Sequence, residues 1–341
     1  MSGRLRPTSH MHKYFAFTKN AYVSAGEYLR LFWYTRPQWY ESVYQVVLRN
    51  PYAQVASFTL IVPLPVQYAM QHVFDITLLP RNARVGVDMT YGNHYAYWRA
   101  SLPPKEFSTF QLSFKIKKLP HFFLWWHHRY EIQDYEGMAA SHPSFDSNSF
   151  MQPKHPRIQH IIRTLPKYAS VSKQLFTLER YLVEYFTYGT SIKGLYTLDE
   201  AFASKTIDCG GFNVIFISLC LALGIPARLV VGFWAGYPAS SFDESMHAWV
   251  EVLLPNGQIV SVDPSVTYLR KHYRSWKLGR LGYIGSDRIA FSFGCDIALR
   301  IDNEIVRVPL LQHPFLVQKK KSLRLTVQTQ WHAKRIQQKY V

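Results

Sequence analysis

Apolar and polar residues alternate through the first third of the chain, the period-two pattern of half-buried strands. Tyr44–Leu48, Phe58–Val62, Phe74–Leu78, Tyr95–Trp98 and Phe110–Ile116 carry the pattern, broken by Asn50-Pro51, Pro63-Leu64-Pro65 and a turn near Tyr91-Gly92-Asn93. Short strands punctuated in this way predict an antiparallel β-sandwich. Beyond residue 156 the spacing becomes helical. Helices are expected over Arg157–Thr164 and Lys173–Phe186, the second with a stripe of Leu175, Leu178, Leu182 and Val183. Thr197-Leu198-Asp199-Glu200 is a capping box that opens a short helix ending near Lys205. The run Asn213–Leu223 is apolar on every side and so predicts a helix buried in a core. Gly224 suits a left-handed cap, and Pro226 prevents the helix from resuming. Strands follow at Ala227–Trp234, Met246–Val252 and Ile259–Val262, then at Asp287–Ser292. Ile297–Arg300 is expected to finish that sheet, and Leu323–Gln328 to add an edge strand.

This order predicts an α+β protein. We divide it into an arm (1–40), a β-sandwich domain (41–133), a linker (134–156), a helix-and-sheet domain (157–310) and a basic tail (311–341).

Composition narrows the class. In 341 residues, 48% hydrophobic and 16% aromatic content exclude global disorder. The three cysteines are Cys209, Cys220 and Cys295. The first two lie three helical turns apart, about 16 Å, too far for a disulfide. A sparse, odd set without C-x-x-C points to a reducing compartment and no structural zinc. No leader pattern stands at the N-terminus, and Gly224–Arg228 splits the hydropathic stretch Val214–Trp234 into a helix and a strand. A cytoplasmic protein without a transmembrane segment is expected. Net charge is +17, and no acidic residue follows Glu304. The tail carries Lys319, Lys320, Lys321, Arg324, Lys334 and Arg335, which suit nucleic acid, an anionic membrane or an acidic protein, or simply a solvated end. His121, His127, His128, His142, His155 and His160 lack metal-ligand spacing, and the aromatic setting of residues 121–128 favours packing between domains. No metal or cofactor is expected.

The chemistry gathers at Asp208-Cys209-Gly210-Gly211-Phe212. Asp208 is placed to cap the buried helix, which puts Cys209 in its first turn, where unpaired N–H groups favour a thiolate. A helix start contributes at most about 2 kcal/mol, or about 1.5 pKa units, so a second partner is needed. His247 opens one strand and Asp263 closes the next, which provides a base and a group to orient it. A thiolate–imidazolium pair is the expected working state. Tyr188 and Trp249 are candidates to line a substrate cleft, and Glu251, farther along the His247 face, is expected to meet solvent.

DCGGF, the apolar helix, GIPAR, a strand, HAWVEV, PNG and VDPS together resemble the transglutaminase-like superfamily over roughly residues 157–300. The resemblance implies a papain-like core, a helix bundle packed on an antiparallel sheet, behind the β-sandwich. It further implies Cys209 as nucleophile, His247 as base and Asp263 as orienting carboxylate, acting on a peptide, isopeptide or carboxamide bond of a protein or peptide substrate through an acyl-enzyme. Without a D-x-D-x-D-G calcium loop, hydrolysis, as in a cysteine protease or amidase, is favoured over cross-linking. The alternative is an inactive scaffold that binds nucleic acid or an acidic partner through its basic ends.

The hairpin 247–263 offers a sharper expectation. A two-residue Asn256-Gly257 turn would pair residues whose numbers sum to 513 and send Asp263 to the face away from His247. A three-residue Pro255-Asn256-Gly257 turn with a bulge makes the sum 512 and returns Asp263 to the His247 face. We predict the second.

Overall fold

The computed structural model describes residues 34–124, 129–136, 147–189, 192, 194–235, 241–273, 277–318 and 324–337. Most of the expected arm, His127, His128, His142 and Lys319–Lys321 lie outside the described residues. The strands are β1 Gln38–Arg49, β2 Ala56–Pro63, β3 Gln71–Leu79, β4 Arg84–Val87, β5 His94–Leu102, β6 Phe107–Lys118 and β7 His121–Phe122. After them come β8 Thr187–Tyr188, β9 Thr206–Ile207, β10 Ala227–Trp234, β11 Met246–Leu253, β12 Ile259–Val262, β13 Gly279–Arg280 and β14 Tyr283–Ile284. The series ends with β15 Arg288–Phe293, β16 Ile297–Ile301, β17 Glu304–Val308, β18 Phe315–Val317 and β19 Thr326–Ile336. Helices span Pro156–Thr164, Val171–Tyr185, Leu198–Ala203, Cys209–Ala222, Phe242–Ser245 and Pro264–Tyr273.

Two antiparallel sheets, ordered β19-β1-β6-β3 and β18-β2-β5-β4, form a sandwich. Alternate side chains of β1 and β6 turn inward, so that Tyr44, Val46, Leu112 and Phe114 meet Leu60 and Trp98 from the facing sheet. Strands from early and late in the described chain build this unit, so that part of the expected basic tail forms β18 and β19. Strand β19 pairs with β1 from Trp39↔Ile336 to Arg49↔Thr326, and β18 pairs with β2. The reason is Trp331. Its ring stacks on Phe233 at 4.8 Å and its Nε1–H donates to the Trp234 carbonyl at 3.0 Å, so β19 fastens the sandwich to the second sheet.

That second sheet has the order β12-β11-β10-β15. The Cys209–Ala222 helix packs on it, buried from Gly210 to Cys220, as its unbroken apolar sequence requires. Residues Ile297–Arg300 do not extend this sheet, contrary to expectation. Positive φ at Gly294 and Asp296 turns the chain away, and β16 pairs with β17 while Ile297 and Leu299 pack against Ile61, Tyr95 and Tyr97 of the sandwich.

The hairpin has the 512 register: Val250↔Val262, Val252↔Val260 and Leu253↔Ile259. Leu254 N–H reaches the Gln258 carbonyl at 2.8 Å, and Gly257 has φ +82, closing the three-residue turn. On the other side of β11, Gly232 of β10 faces His247. The β10–β15 register shifts between Val231 and Gly232, which sets Arg288 opposite Trp234. A Cβ on Gly232 would overlap the Ile289 carbonyl oxygen and lie 2.8 Å from its carbon, so only glycine permits this approach. Gly232→Ala is expected to lower unfolding stability by about 3 kcal/mol, the upper range for overpacking. An unchanged denaturation midpoint would show that the strands can separate at no cost.

Candidate active site

Asp208 caps the Cys209–Ala222 helix by accepting the Gly211 N–H at 3.1 Å, which sets Cys209 at the first helical position. The half-buried thiol faces a cavity of about 390 Å³ that is also lined by Tyr188, Trp234, His247 and Lys277. The Ala248 N–H and the Tyr188 hydroxyl lie beside its sulfur. Trp249 lies under His247, with ring centroids 6.2 Å apart, rather than on the cavity wall. Asp243 and Glu244, from the short Phe242–Ser245 helix, also line the cavity.

His247 is held from several sides. Its Nε2 lies 2.8 Å from Asp263 Oδ2, and its ring stacks on Trp234 with centroids 4.2 Å apart. Asp263, fully buried, is fixed in turn. Its Oδ1 accepts the Ser265 hydroxyl at 2.8 Å and the Val266 N–H at 3.0 Å, so the carboxylate also caps the Pro264–Tyr273 helix. Its Oδ2 additionally accepts Nη1–H of Arg288. Gly279 leaves room for the group, since a Cβ there would sit 3.0 Å from Asp263 Oδ2.

Burial tends to raise the Asp263 carboxyl, but His247, Arg288 and the Val266 N–H outweigh it and hold the group well below the usual carboxylate range. A carboxylate that stays charged accepts a hydrogen bond from His247 Nε2–H, which leaves Nδ1 as the basic nitrogen. Burial lowers His247 itself, with Arg288 and Lys277 acting the same way against Asp263. Burial, followed by Asp208, pushes the Cys209 thiol up to about 12 against the Ala248 N–H and Lys277. The helix start returns only about 1.5 units of that. Burial thus acts against the charged form of both the thiol and the imidazole.

Arg288 and Trp234 were not marked by the sequence reading. Arg288 is fully buried, 4.3 Å from the Trp234 ring centroid and 5.7 Å from that of Trp249, and it also bonds to Asp287 and to the Leu278 carbonyl. The available signal was the pair Asp287-Arg288 opening an otherwise apolar strand, since buried charges of opposite sign come together. Glu251 is corrected as well. It is fully buried, and Oε2 accepts Arg228 Nη2–H at 2.7 Å and Nε–H at 3.0 Å. Among the described residues no group of three His, Cys, Asp or Glu side chains is placed to hold a metal ion.

No curated protein is significantly similar to the chain. Among solved structures, a candidate cysteine protease from Cytophaga hutchinsonii aligns at 12% identity and TM-score 0.56, covering 86% of this chain and 98% of that one. The periplasmic domain of TgpA from Pseudomonas aeruginosa aligns at 13% identity and TM-score 0.35, covering 70% and 91%. The first of these likenesses is one of fold. The family model of the transglutaminase-like superfamily matches residues 160–264, a span that contains Cys209, His247 and Asp263. The capped helix and the bulged hairpin thus lie in the part of the chain that is similar to the transglutaminase-like superfamily.

Proposed function

We propose that the chain is a cysteine-dependent acyl-transfer enzyme acting on a peptide, isopeptide or carboxamide bond, with water as the favoured acceptor. The observation that carries this reading is the 2.8 Å bond from His247 Nε2 to a charged Asp263, on an imidazole that shares its cavity with Cys209. As Cys209 Sγ bonds to the substrate carbonyl carbon, its proton passes to His247 Nδ1. The imidazolium formed is stabilised by Asp263. The Cys209 N–H, at a helix start, is placed to stabilise the oxyanion. Collapse of the intermediate breaks the C–N bond, and His247 returns the proton to the departing amine. Water then releases the acyl group by the same steps. A protein or peptide substrate, no cofactor, and a reducing cytoplasmic setting complete the proposal. Exposed Lys334 and Arg335 on β19 are the proposed contact for an acidic partner or nucleic acid, whose binding would weaken steeply with salt.

An electrophilic activity probe for cysteine hydrolases is the test. Labelling of the wild type but not of Cys209→Ala supports the reading; equal labelling of both refutes it. Alkylation adds detail. Cys209 is half-buried while Cys220 and Cys295 have 0% exposure, so iodoacetamide should modify Cys209 alone in the folded protein. With the thiol raised, that rate should climb about tenfold per pH unit from about pH 6 to 9, following the thiolate fraction. A flat rate over the same range would indicate a standing ion pair instead.

A further inference from the structure

We infer that Arg288 is a positioning residue for the proposed reaction, fixing the Asp263 carboxylate and withholding part of its charge from His247. The inference rests on the triad reading above and adds a fourth member from a different strand. His247 Nε2 and Arg288 Nη1 both donate to one oxygen, Asp263 Oδ2, while Oδ1 is taken by Ser265 and Val266. Every acceptor direction of the carboxylate is thereby used, and the group has one orientation. A carboxylate shared with a permanent cation offers less charge to an imidazolium than one facing histidine alone. The guanidinium lies against Trp234, whose ring also stacks on His247, so water is kept from the shared oxygen.

The fork has a third function. Its Nη2–H donates to the Leu278 carbonyl, which anchors the segment bearing Lys277 at the cavity wall and Gly279 against Asp263. Lysine has one point charge and cannot reproduce this planar set of donors. The charged groups acting on His247 are Asp263, Arg288 and Lys277, and Cys209, Asp208, Asp243, Glu244 and His313 are titratable groups that share its cavity. Arg288 bonds to the carboxylate oxygen that His247 uses.

The test reads the His247 ring directly, by NMR titration in a Cys209→Ala background, so its result does not depend on turnover. Arg288→Met should raise the titration midpoint of His247 by about one pH unit, the scale of a neighbouring charge. Arg288→Lys should raise it less, because the cation remains. In the enzyme with Cys209 intact, Arg288→Lys should lower kcat with little change in KM, and shift the acid limb of kcat/KM to higher pH. Should Arg288→Met fail to fold, Asp287→Asn/Arg288→Met removes one of the carboxylates left without its cation and answers the same question. A His247 midpoint unmoved in both Lys and Met variants would overturn the inference. Failure of the probe experiment with a shifted midpoint would instead overturn the reaction and leave the electrostatic arrangement standing.

Discussion

Cys209→Ala should lower turnover by about 10⁴-fold or more while leaving substrate binding and the fold in place. The size follows from what is removed. Without the sulfur no acyl-enzyme can form, and a site that acts as a unit keeps only what oxyanion stabilisation and binding supply. The fold should tolerate the change, because Cys209 is half-buried and its side chain is the first of the helix rather than part of the buried run from Gly210 to Cys220. Substitutions outside a packed core usually change stability by less than about 1 kcal/mol. The measurement is kcat on any substrate the wild type cleaves, beside a denaturation midpoint. Equal turnover in Cys209→Ala would dismiss covalent catalysis, and the basic strand β19 would become the feature to follow. A loss of turnover together with a loss of fold would assign Cys209 a structural role that its position gives no reason to expect.

What the sequence disclosed and what it hid divide along a physical line. The Cys209–Ala222 helix was legible because Asp208 caps it and Gly224 ends it, both local signals. The hairpin register was legible because Pro255-Asn256-Gly257 admits few turns, and one of them puts Asp263 and His247 on opposite faces. Strand β19 was legible only as an edge. Its partner β1 lies almost 300 residues earlier in the chain, and neither local period nor turn chemistry encodes so distant a pairing. Glu251 and Arg288 were hidden for a related reason. A charged residue in a strand reads as a solvent-facing one until its partner is located, and Arg228 and Asp263 are brought to them by the sheet, not by sequence spacing. The burial of the thiol was also beyond reach. The helix-start argument for a thiolate is correct in sign but small beside burial, whose extent only the folded chain reveals.

Asp263→Asn should combine a catalytic loss with a structural one, and the two can be separated. Asparagine can offer an amide or a carbonyl to His247 but no charge, so the imidazolium that forms during attack loses its stabilising partner. A loss of about 10⁴ in kcat is expected, with KM little changed. The structural loss comes from Arg288, fully buried, which would keep Asp287 but lose the Asp263 carboxylate. Breaking such a pair by removing one partner costs about 3–5 kcal/mol. Asp263→Asn/Arg288→Gln removes both charges and should recover much of that stability, yet none of the turnover. The pH dependence gives an independent sign. Because Asp263 is depressed in the folded state, its contribution is fully present above its ordinary value of 3.8 and is lost as pH falls below it. The wild type should therefore lose stability on acidification with a steeper slope than the double variant, in the same low-pH window. If Asp263→Asn kept full kcat, the carboxylate would be a helix cap and an ion-pair partner but not a member of the triad. If the double variant regained turnover along with stability, the catalytic loss in the single variant would have been a folding defect.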